Sequence, residues 1–544
     1  LLAPIRGEQT THSVIVQGDD LTRIRSAVAA AGGKITHELG IIHAVAADVS
    51  PSQLAALSEH QPGFRIHSNH SVKSAGKGGG KPPKKNNGTS NAISTGFPAL
   101  IDADLLHQEG VMGSGVTVAV LDSGLYPFSQ LIGDSSNIFR VRAQFDAISN
   151  STLSSLANSD RSGHGTHVTS IMADSSADGA GRYNSVAPDV SLVVVKGFDG
   201  SGQGSYADVI RGLDWIVANK EVYGIRVLNL SFSAPPRSHY WEDPLNQAVM
   251  AAWEAGIVVV ASAGNQGPEP MTIGVPGNIP NVITVGAMTD NYTPSIGSDD
   301  LLASFSAAGP TPEGFVKPEV VAPGGHVNAA MNFFAQIASE HPDFHDGDQY
   351  FHMSGTSQAS AVVTGIVAQM LQADPTLSPN DVKCRLMSSA RPAVDPEGNL
   401  AYSIFQQGAG VVNAYDAVYS NDTGCANQGL NVTNDLADEQ HYAGRARQDA
   451  AGNFYIEGLE GEANYIWNGS FLWSDSFLWS DSMLWSDSFL WSDSFLWSDS
   501  MLWSDSFLWS DSFLWSDSFL WSDSFLWSDG LNEPVGINAW VAQE

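Results

Sequence analysis

The chain has 544 residues, about three to four domains' worth at the usual domain size, and 43 % of them are hydrophobic, which excludes a wholly disordered protein. Lys and Arg number 25 against 58 Asp and Glu, a formal charge of −33 that repels a nucleic-acid backbone and sets DNA or RNA binding aside. No apolar run approaches the ~20 residues needed to cross a bilayer, so no membrane span is expected.

Two cysteines, Cys384 and Cys425, allow one bridge at most and leave that bridge open. The first residue is Leu1 and no basic-then-apolar leader follows it; a removed leader and a partial reading both remain open.

Residues 10–73 read as a small α/β unit. His12–Gln17 is a strand, Asp19–Ala31 a helix, and Lys34–Leu39 and Ile41–Asp48 are two further strands. Pro51–His60 is a second helix, with Pro at its start and Ser50 as cap, and Phe64–Ser68 is the last strand. The order β-α-β-β-α-β is that of a ferredoxin-like module. Residues 74–96 change character. Gly78-Gly79-Gly80, Pro82-Pro83 and Asn86-Asn87-Gly88 break the chain, and Lys73, Lys77, Lys81, Lys84 and Lys85 are half of its ten lysines. This is a basic linker, open to proteases.

Residues 97–420 alternate short apolar runs with helical patterns. The runs are Val116–Leu121, Leu192–Val195, Val227–Leu230, Ile257–Ala261 and Val282–Val285; Ala207–Asn219 and Leu245–Ala255 are helical. Fully apolar strands alternating with helices predict an α/β domain, a buried parallel sheet flanked by helices, with its ligands at the carboxyl ends of the strands. Residues 421–469 read as a polar connecting segment. From Ser470 to Asp529 the unit Ser-(Phe or Met)-Leu-Trp-Ser-Asp then runs ten times, and residues 530–544 are a tail. A helix turns ~100° per residue, so a six-residue repeat smears its Trp around the axis. A strand keeps Phe, Trp and Asp on one face, which favours a β-solenoid-like stack; ten uncompensated Asp pull toward disorder.

Three segments carry chemistry. Val118-Ala119-Val120-Leu121-Asp122-Ser123-Gly124 ends an apolar strand in a carboxylate. Gly163-His164-Gly165-Thr166-His167-Val168 runs into a helical pattern. Ser354-Gly355-Thr356-Ser357-Gln358-Ala359-Ser360 leads into a helix reaching about Leu371. Each alone reads as caps and loops; together they supply an orienting acid, a base and a nucleophile, each beside small residues that permit close approach. His164 and His167 lie three apart, but without a third ligand nearby His167 is expected to be a buried structural histidine.

These segments resemble the three signature motifs of the subtilisin-like serine proteases (subtilases), in that family's order Asp…His…Ser. The resemblance spans about residues 97–418. It extends to Ala261-Ser262-Ala263-Gly264-Asn265, Lys317-Pro318-Glu319, Ala322-Pro323-Gly324 and Gly408-Ala409-Gly410-Val411-Val412-Asn413. It implies a serine endopeptidase with Asp122, His164 and Ser357 as its triad, and with the Asn265 side chain and the Ser357 backbone N–H as its oxyanion hole.

It also implies a pocket for the residue before the scissile bond. Ser231, Phe232 and Ser233 would form one wall, Ala261, Ser262, Ala263 and Gly264 the other, and Gly274 would lie near the floor. Gly200, Ser201 and Gly202 would lie on an outer edge strand that pairs with substrate. Uncharged walls predict a preference for Leu, Phe, Tyr or Met. Ser233 stands where many relatives have Gly, and Ala361 where many have Pro. Val275-Pro276-Gly277 resembles a turn that carries a cis-proline in relatives.

By the same resemblance residues 10–73 are an inhibitor and chaperone propeptide, so the chain is a secreted zymogen that cuts itself after about Val72–Gly76 or within the linker. Its partners are then protein and peptide substrates and its own propeptide, with the Trp repeats on a surface or polymer. The chemistry needs no cofactor. Structural calcium is left open at two oxygen-rich stretches, 174–184 and 341–348, both of which read as solvated acidic loops.

Overall fold

A computed structural model describes residues 11–60, 63–69, 95–291, 293, 299–459 and 465–467, and the backbone of three strand dipeptides at 478–479, 495–496 and 536–537. Apart from residues 95–96 and the two dipeptides at 478–479 and 495–496, the linker and the hexapeptide array lie outside the described residues.

The amino-terminal unit follows the predicted order, with one difference: Gly40–Ile42 form a 3-10 turn, so the third strand starts at Ala44 and not at Ile41. β1 (His12–Gln17), α1 (Leu21–Ala30), β2 (Lys34–Leu39), β3 (Ala44–Val49), α2 (Pro51–His60) and β4 (Arg65–Ser68) follow in order. The antiparallel sheet runs β2-β3-β1-β4, the ferredoxin-like arrangement. Asp20 caps α1 by accepting from the N–H groups of Thr22 and Arg23. Strand alternation divides the sheet's faces. Val14, Val16, Val45, Ala47 and Val49 pack on Ile24, Val28 and Leu57 of the two helices. Ile15, Leu39, Ala44 and Ala46 point the other way and join the core of the large domain. Each Val, Leu or Ile side chain so removed from water contributes about 1.5–3 kcal/mol, and each Ala less than about 1 kcal/mol.

The large domain rests on a nine-stranded sheet. Its strands are β5 (Thr117–Asp122), β6 (Val141–Asp146), β7 (Ser151–Leu153), β8 (Ser191–Lys196), β9 (Ile225–Leu230), β10 (Val258–Ser262), β11 (Ile283–Thr289), β12 (Leu301–Leu302) and β13 (Val320–Pro323). The order is β12-β11-β10-β9-β5-β8-β6-β7, with β13 also on β11. All neighbours are parallel except β7 on β6 and β12 on β11. β5 and β10 are buried at every residue, as sheets covered on both faces require.

The main helices are α3 (His164–Ala173), α4 (Tyr206–Ala218), α5 (Pro244–Glu254), α6 (Thr356–Ala373) and α7 (Pro379–Ser388). α6 is buried on all sides from Thr356 to Leu371, which makes it a core helix rather than an amphipathic one. β14 (Val327–Ala330) and β15 (Tyr350–Met353) form an antiparallel pair that leads into α6. The amino-terminal unit docks on α4 and α5. His37 Nε2 lies 3.0 Å from Asp208 Oδ1, the Gly40 N–H donates to Asp214 Oδ2 at 3.0 Å, and Arg211 donates to Thr36 O at 3.0 Å.

Two regions differ from expectation. Within 421–469 the described part is folded. Ala446–Gln448, Phe454–Ile456 and Ile466–Trp467 form a three-stranded sheet. Phe454, Ile456 and Trp467 pack on Ile404 and Phe405, with the Trp467 ring stacked 6.1 Å from that of Phe405. A few well-spaced apolar residues suffice because the large domain supplies the other half of the core. Residues 199–203, expected as an edge strand, form a tight turn around the Asp199 carboxylate, which accepts from the N–H groups of Ser201 and Gln203. Cys384 on α7 and Cys425 are joined by a disulfide, with 5.2 Å between Cα atoms.

Candidate active site

Asp122 is the last residue of β5, at the centre of the sheet, and only 1 % of it is exposed. His164 opens α3 and is fully buried. Its Nδ1 lies 2.8 Å from Asp122 Oδ1 and 3.0 Å from Oδ2. That pairing assigns the proton to Nδ1 and leaves Nε2 as the acceptor; Nε2 has no partner among the described residues. Gly165 makes the approach possible. A Cβ there would stand 2.4 Å from Gly124 O, so any side chain would push α3 off the strand end.

Ser357 sits in the first turn of α6, behind Gly355. Its hydroxyl donates to Ser231 O at 2.9 Å. Beside it, Asn265 is held by its carbonyl: Oδ1 accepts from Thr356 N at 3.0 Å and from Thr356 Oγ1 at 2.9 Å. The Asn265 amide nitrogen is buried and has no partner among the described residues. An acceptor nitrogen on His164 and a donor nitrogen on Asn265 are thus both without a partner among the described residues, and Asn265 is bonded to Thr356, the neighbour of Ser357 at the start of α6.

The expected pocket residues lie at the ends of β9 and β10. Gly274 and Gly264 both press on Ser233; a Cβ on Gly274 would meet the Ser233 Cβ at 2.8 Å, and one on Gly264 would meet its Oγ at 3.1 Å. The Val275–Pro276 bond is cis, as are Gly267–Pro268, Gly309–Pro310 and Lys317–Pro318. Three named residues turn their side chains elsewhere. Phe232 packs into the core against Phe198, Ser262 Oγ donates to Phe232 O, and Ser231 Oγ donates to Ser357 O. Backbone is what these three can offer a substrate. A Cβ on Gly200 would lie 3.0 Å from the Cβ of Arg161, three residues before His164.

His167 is wholly buried, with Nε2 2.9 Å from Phe351 O and Nδ1 3.4 Å from Gln358 Nε2; burial lowers its pKa to about 3. It is a neutral core histidine, as expected.

The sequence reading missed Asp160. This buried carboxylate accepts from Ser123 Oγ (2.9 Å), Gly163 N (2.9 Å), Thr166 N (2.8 Å) and Thr166 Oγ1 (2.6 Å). It binds the Gly163 and Thr166 N–H groups, one before and one two residues after His164, while Ser123 Oγ accepts from Gly165 N. An acidic residue just ahead of a helix start was the available signal.

The two oxygen-rich stretches do not present a set of free ligands. Asp174 Oδ1 accepts from Ser176 N and Oγ, its Oδ2 accepts from Tyr350 Oη, and Asp178 pairs with Arg182. The buried Arg140 guanidinium fills a cage of backbone carbonyls from Gln130, Leu131, Ala173 and Pro188. In the second stretch Asp346 Oδ1 accepts from the N–H groups of Asp348 and Tyr350. Among the described residues no three His, Cys, Asp or Glu side chains gather as a metal site, and no helix is long and apolar enough to cross a membrane.

A parallel sheet carrying an acid at a central strand end, with a histidine and a serine each at a helix start, is the frame of a serine hydrolase. Residues 113–415 match the family described as Peptidase_S8, the subtilase family. The chain belongs to that family and is a subtilisin-like serine endopeptidase. It is 35 % identical over 392 residues to serine protease AprX of Bacillus subtilis (strain 168), covering 71 % of this chain and 81 % of that one. It is 33 % identical over 326 residues to subtilisin DY of Bacillus licheniformis, covering 60 % of this chain and 98 % of that one. Among solved structures, fervidolysin from Fervidobacterium pennivorans, described as a keratinolytic enzyme related to subtilisin, matches with a TM-score of 0.58 at 23 % identity. That alignment covers 78 % of this chain and 63 % of that one, and at this identity it bears on the fold alone.

Proposed function

We propose that this endopeptidase works through Asp122, His164 and Ser357, and that it is made as a self-processed, secreted precursor. The observation that carries the reading is the His164 Nδ1–Asp122 carboxylate pair, which leaves His164 Nε2 without a partner among the described residues.

For attack, the Ser357 hydroxyl gives up its bond to Ser231 O and turns to His164 Nε2. Oγ then bonds to the peptide carbonyl carbon as Nε2 takes its proton, and Asp122 stabilises the imidazolium. The negative oxygen that forms receives hydrogen bonds from Asn265 Nδ2 and the Ser357 N–H. His164 returns the proton to the departing amine as the C–N bond breaks. Water repeats the cycle on the acyl-enzyme, releasing the acid and restoring Ser357.

The amino-terminal unit is read as the inhibitory propeptide. Its docking on α4 and α5 through a shared core supports this, as does Asn69, just past its last strand, whose Oδ1 accepts from Ala207 N at the start of α4 at 3.0 Å. The uncharged walls support a preference for an apolar residue before the scissile bond, and the close packing of Gly264 and Gly274 on Ser233 works against the bulkiest side chains. The Trp array is assigned to attachment at a surface or polymer, and neither oxygen-rich stretch is assigned calcium.

Intact mass followed over time for the full chain beside Ser357→Ala tests the core of this. Wild type should lose its first ~75–95 residues, the span ending in the basic, Gly- and Pro-rich linker, while the variant stays whole. If both chains keep their mass and the wild type fails to label with an active-serine probe, the assignment is wrong.

A further inference from the structure

The backbone from Ser231 to Ala234 points its polar groups alternately to two sides. Phe232 O accepts from Ser262 Oγ at 3.0 Å. Ala234 N donates to Val275 O at 2.9 Å, and Val275 N donates back to Ala234 O at 2.7 Å. Both residues bond inward, toward the body of the domain. In an extended strand the residues between them face the other way, so Ser231 and Ser233 point outward. On that outer side Ser231 O accepts the Ser357 hydroxyl at 2.9 Å. The outer edge of this strand therefore runs past the nucleophile.

That edge carries a second strand. Residues 536–537, which follow the hexapeptide array in the chain, pair with it antiparallel, Ile537 opposite Phe232 and Gly536 opposite Ser233. Ser233 belongs to the outward set, and the alternation makes Gly536 the residue with which it exchanges N–H and C=O. Two earlier dipeptides reach the same domain by the same device. Leu478–Trp479 pairs with Ala393–Val394, and Phe495–Leu496 with Tyr442–Ala443, both antiparallel. The chain beyond residue 470 is thus held against the large domain at three places among the described residues, and the last of them is the strand beside Ser357. Strand addition to a sheet edge draws its affinity from main-chain hydrogen bonds, which a segment of the same chain supplies as well as a substrate does.

We infer that segment 530–544 is a tethered occupant of the catalytic cleft, bound as an extended substrate binds and competing with substrate in cis. This rests on the proposed role of Ser357. One residue further along the same register Asn538 falls opposite Ser231, so the bond between residues 538 and 539 is the one presented to the nucleophile. Asn538 is polar where the uncharged walls favour an apolar residue, and the strand therefore blocks the cleft more than it is turned over. Loss of the amino-terminal unit leaves this occupant attached, because it is joined to the large domain through the array.

The test compares the full chain, processed at its amino terminus and shown by intact mass to keep residues 530–544, with a variant lacking those residues and with Gly536→Pro. Proline removes the N–H that faces Ser233 O. Each protein is titrated with an active-serine probe and assayed on an apolar peptide anilide. A flexibly tethered segment competes at roughly millimolar effective concentration, so its deletion should lower KM by about three- to tenfold and leave kcat per active serine within about twofold. Gly536→Pro should lower KM in the same direction. A synthetic peptide of residues 530–544 should raise KM again in the deletion variant, and the same peptide with proline at position 536 should not. Asn538→Leu tests the register. Its tail should be cut between residues 538 and 539 about tenfold faster than that of wild type, as read by intact mass, and should stay whole when Ser357→Ala is added. A KM that the deletion does not lower, or a Leu variant left uncut between residues 538 and 539, overturns the inference. If neither the full chain nor the deletion variant takes the probe or releases the anilide, the assignment of Ser357 fails instead.

Discussion

Asp160→Asn is the sharpest test of how His164 is held. The carboxylate takes four hydrogen bonds, two of them from the Gly163 and Thr166 N–H groups on either side of His164. An asparagine can keep its carbonyl toward Ser123 and Gly163. Its NH2 then faces the Thr166 N–H, donor against donor, while the Thr166 hydroxyl can turn to accept. The change leaves one buried N–H without an acceptor and removes charge assistance from the rest, about 2–4 kcal/mol in all. At a few degrees per kcal/mol for a domain of this size, the melting point should fall by about 5–10 °C. Unfolding is best compared at one scan rate in a Ser357→Ala background, where self-digestion is absent.

The same change relaxes the start of α3. A displacement of about 1 Å at a catalytic group costs on the order of 10²-fold in rate. Titrated for active serines, the variant should lose ten- to a hundredfold, approximately, in kcat, with KM little altered because no substrate contact is removed. A melting point that falls while kcat stays within about twofold of wild type would show that Asp160 supports the fold without positioning His164. If neither moves, the hydrogen-bond argument itself is wrong.

Asn265→Ala should lower kcat by about 10²–10³ with little change in KM, a magnitude set by subtilisins and not worked from this structure. Removing the Cys384–Cys425 bridge by changing both to Ser releases a loop with a sequence separation of 41 residues, worth about 4 kcal/mol by loop entropy; the melting point and proteolysis near residue 425 read this out. Asp243 caps α5 in full burial, and desolvation raises its pKa from 3.8 to about 6. Its contribution is therefore fully present below pH 3.8 and is lost as pH rises through 6. Asp243→Asn keeps the cap and can donate to Tyr206, so it should stabilise the protein at pH 8 by up to about 3 kcal/mol and have no such effect at pH 4. A variant that melts lower at pH 8 would refute the burial argument. EDTA should leave the melting point unchanged, because the Asp174 oxygens and the carbonyl cage around Arg140 are already occupied; a large drop would locate a bound cation that this reasoning missed.

Sequence alone reveals whatever is repeated along the chain or buried on both faces. β5, β8, β9, β10 and β11 announce themselves as continuous apolar runs, and the amino-terminal module by its alternation. β6 does not, because Arg140 and Arg142 interrupt its pattern; the first is buried only because four carbonyls receive its guanidinium. The folded part of 421–469 stays hidden for a related reason. Its core is shared, and Phe454 and Trp467 look isolated until Phe405 is placed beneath them. The turn at 199–203 depends on one carboxylate folding back on its own backbone, which no periodicity encodes. The bridge between Cys384 and Cys425 needs the position of a segment that composition marks only as polar.

The site combines two kinds of support with different tolerance for change. Asp122, His164 and Ser357 stand on β5, α3 and α6, elements buried along nearly their whole length, so altering their placement means repacking the core. The pairing of residues 536–537 with Phe232–Ser233 is a two-residue backbone ladder, so its release leaves the core packed as before.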